Sequence, residues 1–574
     1  MKRSLSLLSI IALFVSLINP VHGQTDNSTI IIDMITVYQA DYGALSRKYA
    51  VQPSVEHFDR FDSFFSNWLK QLNGISFEDL DQSQKVDFTL FKNDLTRSQY
   101  FLKVERKQFQ EIYSFLPATD SIMEFINERR VGTSMKGKEV ADKFNNWSKV
   151  VDQKKAQLEK TDLLSKRKAG YLSKSIKELE KGIEEAYEFY YGYDPDFTWW
   201  VEEPYKSLSK SLKKYGTFAG NYYDAEKESV DKSGIVGSPI GRDEIIRRLQ
   251  FEMISYKPEE LIKIAEKQYV WTLQEMLKAS RELGYGDDWK AAMEYVKTTH
   301  VDEGEQPPLV KILADEAVTF LEDRDLVTVP ELAKETWRMV MLSPEWQKTA
   351  PFFLGGETVR IAYPTNTMTH EEKMMSMRGN NPHFSKAVVH HELIPGHHLQ
   401  QFMNRRYETH RRQFRTPFWT EGWALYWEFV LWNKDFPNSP EDKIGMLYWR
   451  MHRAARIVFS LNYHLGEWTP QQSIDYLVEN VGHEYANAEA EVRRSFEGNY
   501  GPLYQIAYMV GAMQFYSLRI ELVDSGKMTE KEFHDAILHQ NTMPVAMVKA
   551  LLTNQKLSKN YKPDSEFGNY LDGM

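Results

Sequence analysis

Residues 387–401 read AVVHHELIPGHHLQQ, and this stretch decides what the rest of the chain has to build. Five of the 15 histidines (His383, His390, His391, His397 and His398) fall within residues 383–398. The chain has no cysteine, so imidazole and carboxylate are its strongest ligands for zinc. The familiar zinc helix reads His-Glu-x-x-His. Its histidines stand four apart on one face, and its glutamate serves as general base. Here the fourth residue after His391 is Pro395, which cannot ligate. His397 is six residues on, which on an unbroken helix means about 600° of rotation and about 9 Å of rise. His398, seven on, returns to the right face but lies two turns away. A shared ion therefore requires the helix to break, and Pro395-Gly396 supplies residues that break helices. The spacing predicts a kink or bulge there that swings His397 back toward His391.

A third ligand is needed. Downstream stands Trp419-Thr420-Glu421-Gly422-Trp423-Ala424-Leu425-Tyr426-Trp427-Glu428, with Glu421 24 residues after His397. That interval holds one loop and a returning helix. Two histidines and a glutamate leave one zinc position open, as catalysis requires. Glu428 lies two turns along the same face and is expected to support a ligand rather than to be one. His390 and His398 flank the ligands and are read the same way.

The segments HHELIPGHHLQQ (390–401), TEGWALYWE (420–428) and HLGEWTPQQSIDYL (464–477) resemble the DUF885 family of bacterial proteins, which is grouped with the zinc metallopeptidase clan. The specific motifs lie within residues 330–520. The resemblance implies a mainly α, large helical cleft-containing metallopeptidase-like fold. It implies one zinc per chain on His391, His397 and Glu421, with Glu392 as the base. It also makes Tyr508 the candidate donor to the oxyanion of a tetrahedral intermediate. Two departures from the family pattern, at Ser460-Leu461-Asn462 and at Leu503-Tyr504-Gln505, fall on the substrate side of the site rather than on its metal side. His464 reads two ways, as a second donor or as a packed histidine. Arg456, Arg493 and Arg519 are candidates for binding a substrate carboxylate, and each has an ordinary alternative as an ion pair.

Away from the motifs, helical periodicity dominates. Phe88, Phe91 and Leu95, and again Ile176, Leu179, Ile183 and Tyr187, mark apolar faces. Residues 140–160, 258–283 and 331–341 also read as helix. Residues 351–364, PFFLGGETVRIAYP, do not. Gly355-Gly356 marks a turn, and the flanking β-branched residues predict a short hairpin or edge strand near the active site. Such an edge, with Tyr363 on it, offers a place for a peptide to pair. Residues 232–240 are the candidate loop or boundary.

The N-terminus reads as a signal peptide over 1–23, with Lys2-Arg3, an apolar run from Leu5 to Ile18, and Val21-His22-Gly23 before Gln24. The apolar run is short for a membrane span. The expectation is a periplasmic or secreted protein with no stable membrane association after cleavage. Residues 24–330 are expected to form one wall of the cleft and 331–574 the catalytic region. The formal charge of −10 becomes −12 when Lys2 and Arg3 are removed, and that excludes phosphate-backbone binding. No nucleic acid is expected. The sequence thus predicts a zinc metallopeptidase acting on a short peptide substrate. The alternatives are a zinc hydrolase of other amides or esters and a non-catalytic zinc-binding scaffold. Peptide length, endo- or exopeptidase character and oligomeric state are left open.

Overall fold

A computed structural model describes residues 29–52, 54–347, 353–498 and 500–563. The signal-peptide reading of residues 1–23 lies outside them. The chain is mainly helical. The periodic segments of the first half become the helices Gln82–Ile112, Gly137–Leu158, Lys166–Tyr190, Pro195–Gly220 and Pro258–Glu282. Phe88, Phe91, Leu95, Ile176, Leu179 and Ile183 are all buried, each stabilising the fold by about 1.5–3 kcal/mol through removal of apolar surface from water.

Helix starts in the second half share one local signature, a capping side chain followed by proline. Asn381-Pro382, Thr416-Pro417, Ser439-Pro440 and Thr469-Pro470 each place the cap oxygen on a backbone N–H of the first turn. The proline that follows has no N–H to leave unpaired. These signals start the helices Pro382–Glu392, Pro417–Asn433, Pro440–Leu465 and Pro470–Val481. Pro417–Asn433 has no polar face to offer water. Trp419, Trp423 and Trp427 are fully buried on it, as expected of a helix apolar all round.

One apolar core runs from Ile31 to Leu557. The helix Pro258–Glu282 packs along Pro440–Leu465, across the boundary expected at residue 330. The loop through 232–240 is non-helical, but it is fastened to the second half. Val236 donates its N–H to Glu497 at 2.8 Å, and Gly241 donates to the His464 carbonyl at 2.9 Å.

The β structure differs from a simple hairpin. Strand β1 (Arg338–Met341) pairs in parallel with β2 (Thr358–Ile361), Arg338 opposite Thr358 and Met341 opposite Ile361. The turn at Gly355-Gly356 closes only one antiparallel bridge, Leu354 to Arg360. The helix expected over 331–341 stops at Thr336, because the following backbone is taken by β2 and tertiary pairing outweighs local propensity. β2 is therefore engaged on both edges, which removes it as the free edge for a peptide. Tyr363 packs instead against a small second core of Val310, Val359, Val389 and Leu393. No helix among the described residues is long and apolar enough to cross a membrane.

Candidate metal centre

The helix carrying His391 ends at Glu392, and a new one starts at His397. Between them Leu393 leaves the helical region at φ −107°, ψ −107°, and the Ile394–Pro395 peptide is cis. The excursion is held by backbone bonds from Gly396 N–H to the His390 carbonyl and from His398 N–H to the Leu393 carbonyl, both 3.0 Å. A Cβ on Gly396 would stand 1.8 Å from the His391 carbonyl oxygen, so only glycine fits there. Trp423 ties the break to the third helix, donating its indole N–H to the Pro395 carbonyl at 2.9 Å.

The result brings His391, His397 and Glu421 together, with their ligand atoms all within 4.8 Å of one another. His397 Nε2 is 3.2 Å and His391 Nε2 3.7 Å from Glu421 Oε2. Ligands about 2.0–2.1 Å from a tetrahedral zinc stand about 3.3 Å apart, so the residues fit such an ion. Their surroundings fit as well. His391 Nδ1 donates to Glu428 Oε1 at 2.8 Å. A carboxylate only accepts, so the neutral ring presents its Nε2 lone pair to the centre. Glu421 Oε1 accepts from Tyr504 at 2.6 Å, which leaves Oε2 for the centre.

Electrostatics follow from burial and proximity. Burial pulls the His391 imidazole down, but Glu421 and Glu428 outweigh it and hold the group at about 9. Burial raises Glu421, yet the two histidines keep it well below the ordinary carboxylate range. Burial pushes Glu392 up, against the pull of His397 and His391. A raised carboxyl is a stronger base once ionised. The backbone at Gly355 lies directly on Glu392: a Cβ there would meet Oε2 at 2.1 Å, and Gly356 donates its N–H to the Glu392 carbonyl at 3.1 Å. Gly355 reads in the sequence as a turn residue, and its place against Glu392 comes only from the fold.

The remaining candidates divide. Tyr508 is at the centre, its ring nearly parallel to His391 with centroids 6.3 Å apart. Its hydroxyl donates to Tyr504 at 3.3 Å. Arg456 and Arg453 place their guanidinium carbons 4.7 and 4.6 Å from the Tyr508 ring. Tyr504 stands in the sequence only as part of the departure at 503–505; the signal of its place beside Glu421 is its position one helical turn before Tyr508. His390 is buried against Phe436, and burial lowers it to about 3. His398 donates from Nε2 to the Ala333 carbonyl at 2.7 Å, since a carbonyl only accepts. Neither histidine joins the ligand cluster. His383 is paired with Asp442 at 2.6 Å.

Two residues take the ordinary one of their two readings. His464 packs on Tyr463 and Phe496 and lines a separate cavity of about 520 Å³ with Lys166, Ser495 and Glu497, which includes none of the three ligands. Arg519 is used up by Glu530 and Asp524, so it has no free fork for a substrate. Arg493 is likewise bound by Glu489 and Glu497.

Comparisons with known proteins agree on family and fold. The structure is similar to that of a protein from Shewanella oneidensis described provisionally as a lipoprotein of unknown function. That match has a TM-score of 0.69 and 16% identity, over 91% of this chain and 99% of that one. A provisionally assigned lipoprotein from Colwellia psychrerythraea matches with a TM-score of 0.58 and 17% identity, over 95% and 99%. No curated protein matches the sequence. The family profile described as "Bacterial protein of unknown function (DUF885)" matches residues 38–552, most of the chain, and the protein belongs to that family.

Proposed function

We propose that this chain is an exported zinc-dependent metallopeptidase that hydrolyses short peptides. The observation that carries the reading is the convergence of His391, His397 and Glu421 beside Glu392, with Glu428 behind the first ligand. Zinc, held by those three residues, would supply Lewis acidity toward the scissile carbonyl and lower the pKa of water. Glu392 accepts the proton of the attacking water and delivers it to the leaving amine. Tyr508 and Tyr504 bring hydroxyls to the same side, where a donor to the developing oxyanion is needed. Gly355 closes over Glu392 and leaves its carboxylate little freedom to turn away. The apolar leader over residues 1–23, and the lipoprotein description of both structural neighbours, support export to the periplasm or medium.

The test is metal analysis of the full mature chain together with mass spectrometry of a peptide library after digestion. About one zinc per chain and chelator-sensitive cleavage are expected. Glu392→Gln is expected to keep the metal and lose on the order of 100- to 10,000-fold in kcat, the usual worth of a general base. Normal turnover in that variant would overturn the assignment. Hydrolysis of small amides or esters but no peptides would move the substrate class. Zinc without any hydrolysis would make the chain a binding protein.

A further inference from the structure

We propose that the cavity lined by Arg456, the arginine that packs on Tyr508, binds the free C-terminal carboxylate of a peptide, so that the centre removes a short fragment from the peptide's C-terminus. The inference rests on the hydrolytic reading above and adds the end of the substrate that is recognised.

Arg453 and Arg456 stand three residues apart on the helix Pro440–Leu465, and both are buried, 8% and 3% exposed. Arg456 lines a cavity of about 270 Å³, as do Arg494, Glu491 and Glu372. Glu491 serves two arginines, Arg456 Nε and Arg494 Nε, each at 2.7 Å. Glu372 is held at its helix N-terminus by the Thr369 N–H at 2.8 Å. Arg453 has no ion pair or hydrogen bond among the described residues, and Arg456 Nη1 has no hydrogen-bond partner there. Two guanidinium groups and two carboxylates thus line the cavity, and Arg453 stands outside it, next to Tyr508; the donor left over on the lining is Arg456 Nη1. A buried donor without a partner is costly, and a forked guanidinium is matched best by a carboxylate.

Distance connects this charge to the centre. The His391 and Tyr508 rings are 6.3 Å apart, and Arg456 is 4.7 Å beyond Tyr508. Arg456 therefore lies within about 11 Å of the His391 ring. An extended chain covers about 3.3–3.6 Å per residue, so a carboxylate on Arg456 leaves room for at most about three residues beyond the cut bond. The wall beside the arginines is apolar, with Met368, Met375 and Trp449. It suits an uncharged, apolar terminal side chain, and the cavity is smaller than a typical drug-sized pocket of about 300–1,000 Å³.

The experiment pairs an N-acetylated pentapeptide ending in leucine with its C-terminal amide, using the full mature chain loaded with zinc. The acid is expected to be cut within three residues of its C-terminus. The amide is expected to show kcat/KM lower on the order of 10- to 100-fold, the worth of a charge-assisted hydrogen bond. Arg456→Lys should raise KM for the acid more than for the amide, so that the acid-to-amide ratio of kcat/KM falls toward one. Arg456→Gln leaves Glu491 paired with Arg494 and provides a second test in which the guanidinium is removed outright. Calorimetric binding of acetyl-leucine against its amide, to wild type and to both variants, needs no turnover. Equal cleavage of acid and amide, or internal cuts, would overturn this proposal while leaving the peptidase intact. If no peptide is cut, the peptidase reading fails. Preferential binding of acetyl-leucine lost in the variants would then still support the carboxylate pocket, and equal binding would end it.

Discussion

Glu428 shows how one side chain outside the ligand set governs the centre. It accepts from His391 Nδ1 at 2.8 Å, and such partners fix the ring and typically contribute 10- to 100-fold to metal affinity. Glu428→Ala is therefore expected to weaken zinc binding by about that factor in competition with a chelating dye, with the helix itself intact. The same contact sets a pH dependence. In the metal-free chain His391 is held at about 9, raised above its ordinary value by Glu421 and Glu428 after burial has pulled it down. A group raised on folding stabilises the folded state fully below its unfolded pKa of about 6.5, and that contribution is lost as pH rises through 9. Zinc requires the unprotonated ring and displaces that proton. The gap in melting temperature between zinc-loaded and metal-free protein should therefore widen from pH 6.5 to 9, which fluorimetric melts at fixed free zinc can measure. A gap that stays constant would mean His391 does not bind the metal. Gly355 gives a second handle on the base. A methyl at that position would stand 2.1 Å from the Glu392 carboxylate and 2.5 Å from its carbonyl oxygen. Gly355→Ala should therefore displace Glu392 and lower kcat, and zinc content measured alongside reads how far the shift reaches His391.

Two glycines decide how the helices meet. Pro417–Asn433 and Tyr504–Arg519 cross with Gly422 against Gly511: a Cβ on Gly511 would lie 2.0 Å from the Phe418 carbonyl, and one on Gly422 2.7 Å from the Gly511 Cα. That approach puts Tyr504 within 2.6 Å of Glu421. Gly511→Ala should push the helices apart, cost about 1–3 kcal/mol as overpacking does, and reduce activity beyond what lost stability explains. Denaturant melts beside peptide turnover separate the two effects. Contacts of this kind mark the limit of what the sequence discloses. The break at Pro395-Gly396 is legible, because a spacing of six cannot work on an unbroken helix. So are the long helices, whose apolar residues recur at the helical period, and the placing of Glu428 on the face of Glu421, seven residues on, where it meets His391. The parallel pairing of β2 is not legible, because its partner lies 20 residues upstream in a segment with a helical pattern. Nor is Tyr504, whose function depends on a neighbour 83 residues away. His464 and Arg519 each carry two readings by residue type, and the choice between them rests on packing and ion pairs that only the fold supplies.

At the scale of the molecule, a buried ion pair makes the first half part of the second. Arg411, fully buried, donates from Nε to Asp87 Oδ1 at 2.7 Å, and His410 Nε2 stands 3.1 Å from Oδ2. Asp87 belongs to the helix Gln82–Ile112, and Arg411 lies in the turn before the helix that carries Glu421. Burial raises Asp87, but His410 and Arg411 overcome it and keep the carboxyl below its ordinary value. Removing one partner of such a pair leaves an uncompensated charge in the interior and costs about 3–5 kcal/mol. Asp87→Ala should therefore destabilise the region around Glu421, although it lies in the opposite half of the sequence. The core runs unbroken from Ile31 to Leu557, and Gln82 donates to the carbonyls of Ala550 and Gln555 at 2.8 Å, so neither half closes its own interior. Calorimetry of the zinc-loaded chain should show one cooperative transition, which Asp87→Ala moves to lower temperature as a whole. Residues 331–574 expressed alone should fail to give a cooperative melt or to retain zinc. Two resolved transitions, with Asp87→Ala shifting only one, would mean that the halves fold independently and that the ion pair merely joins them.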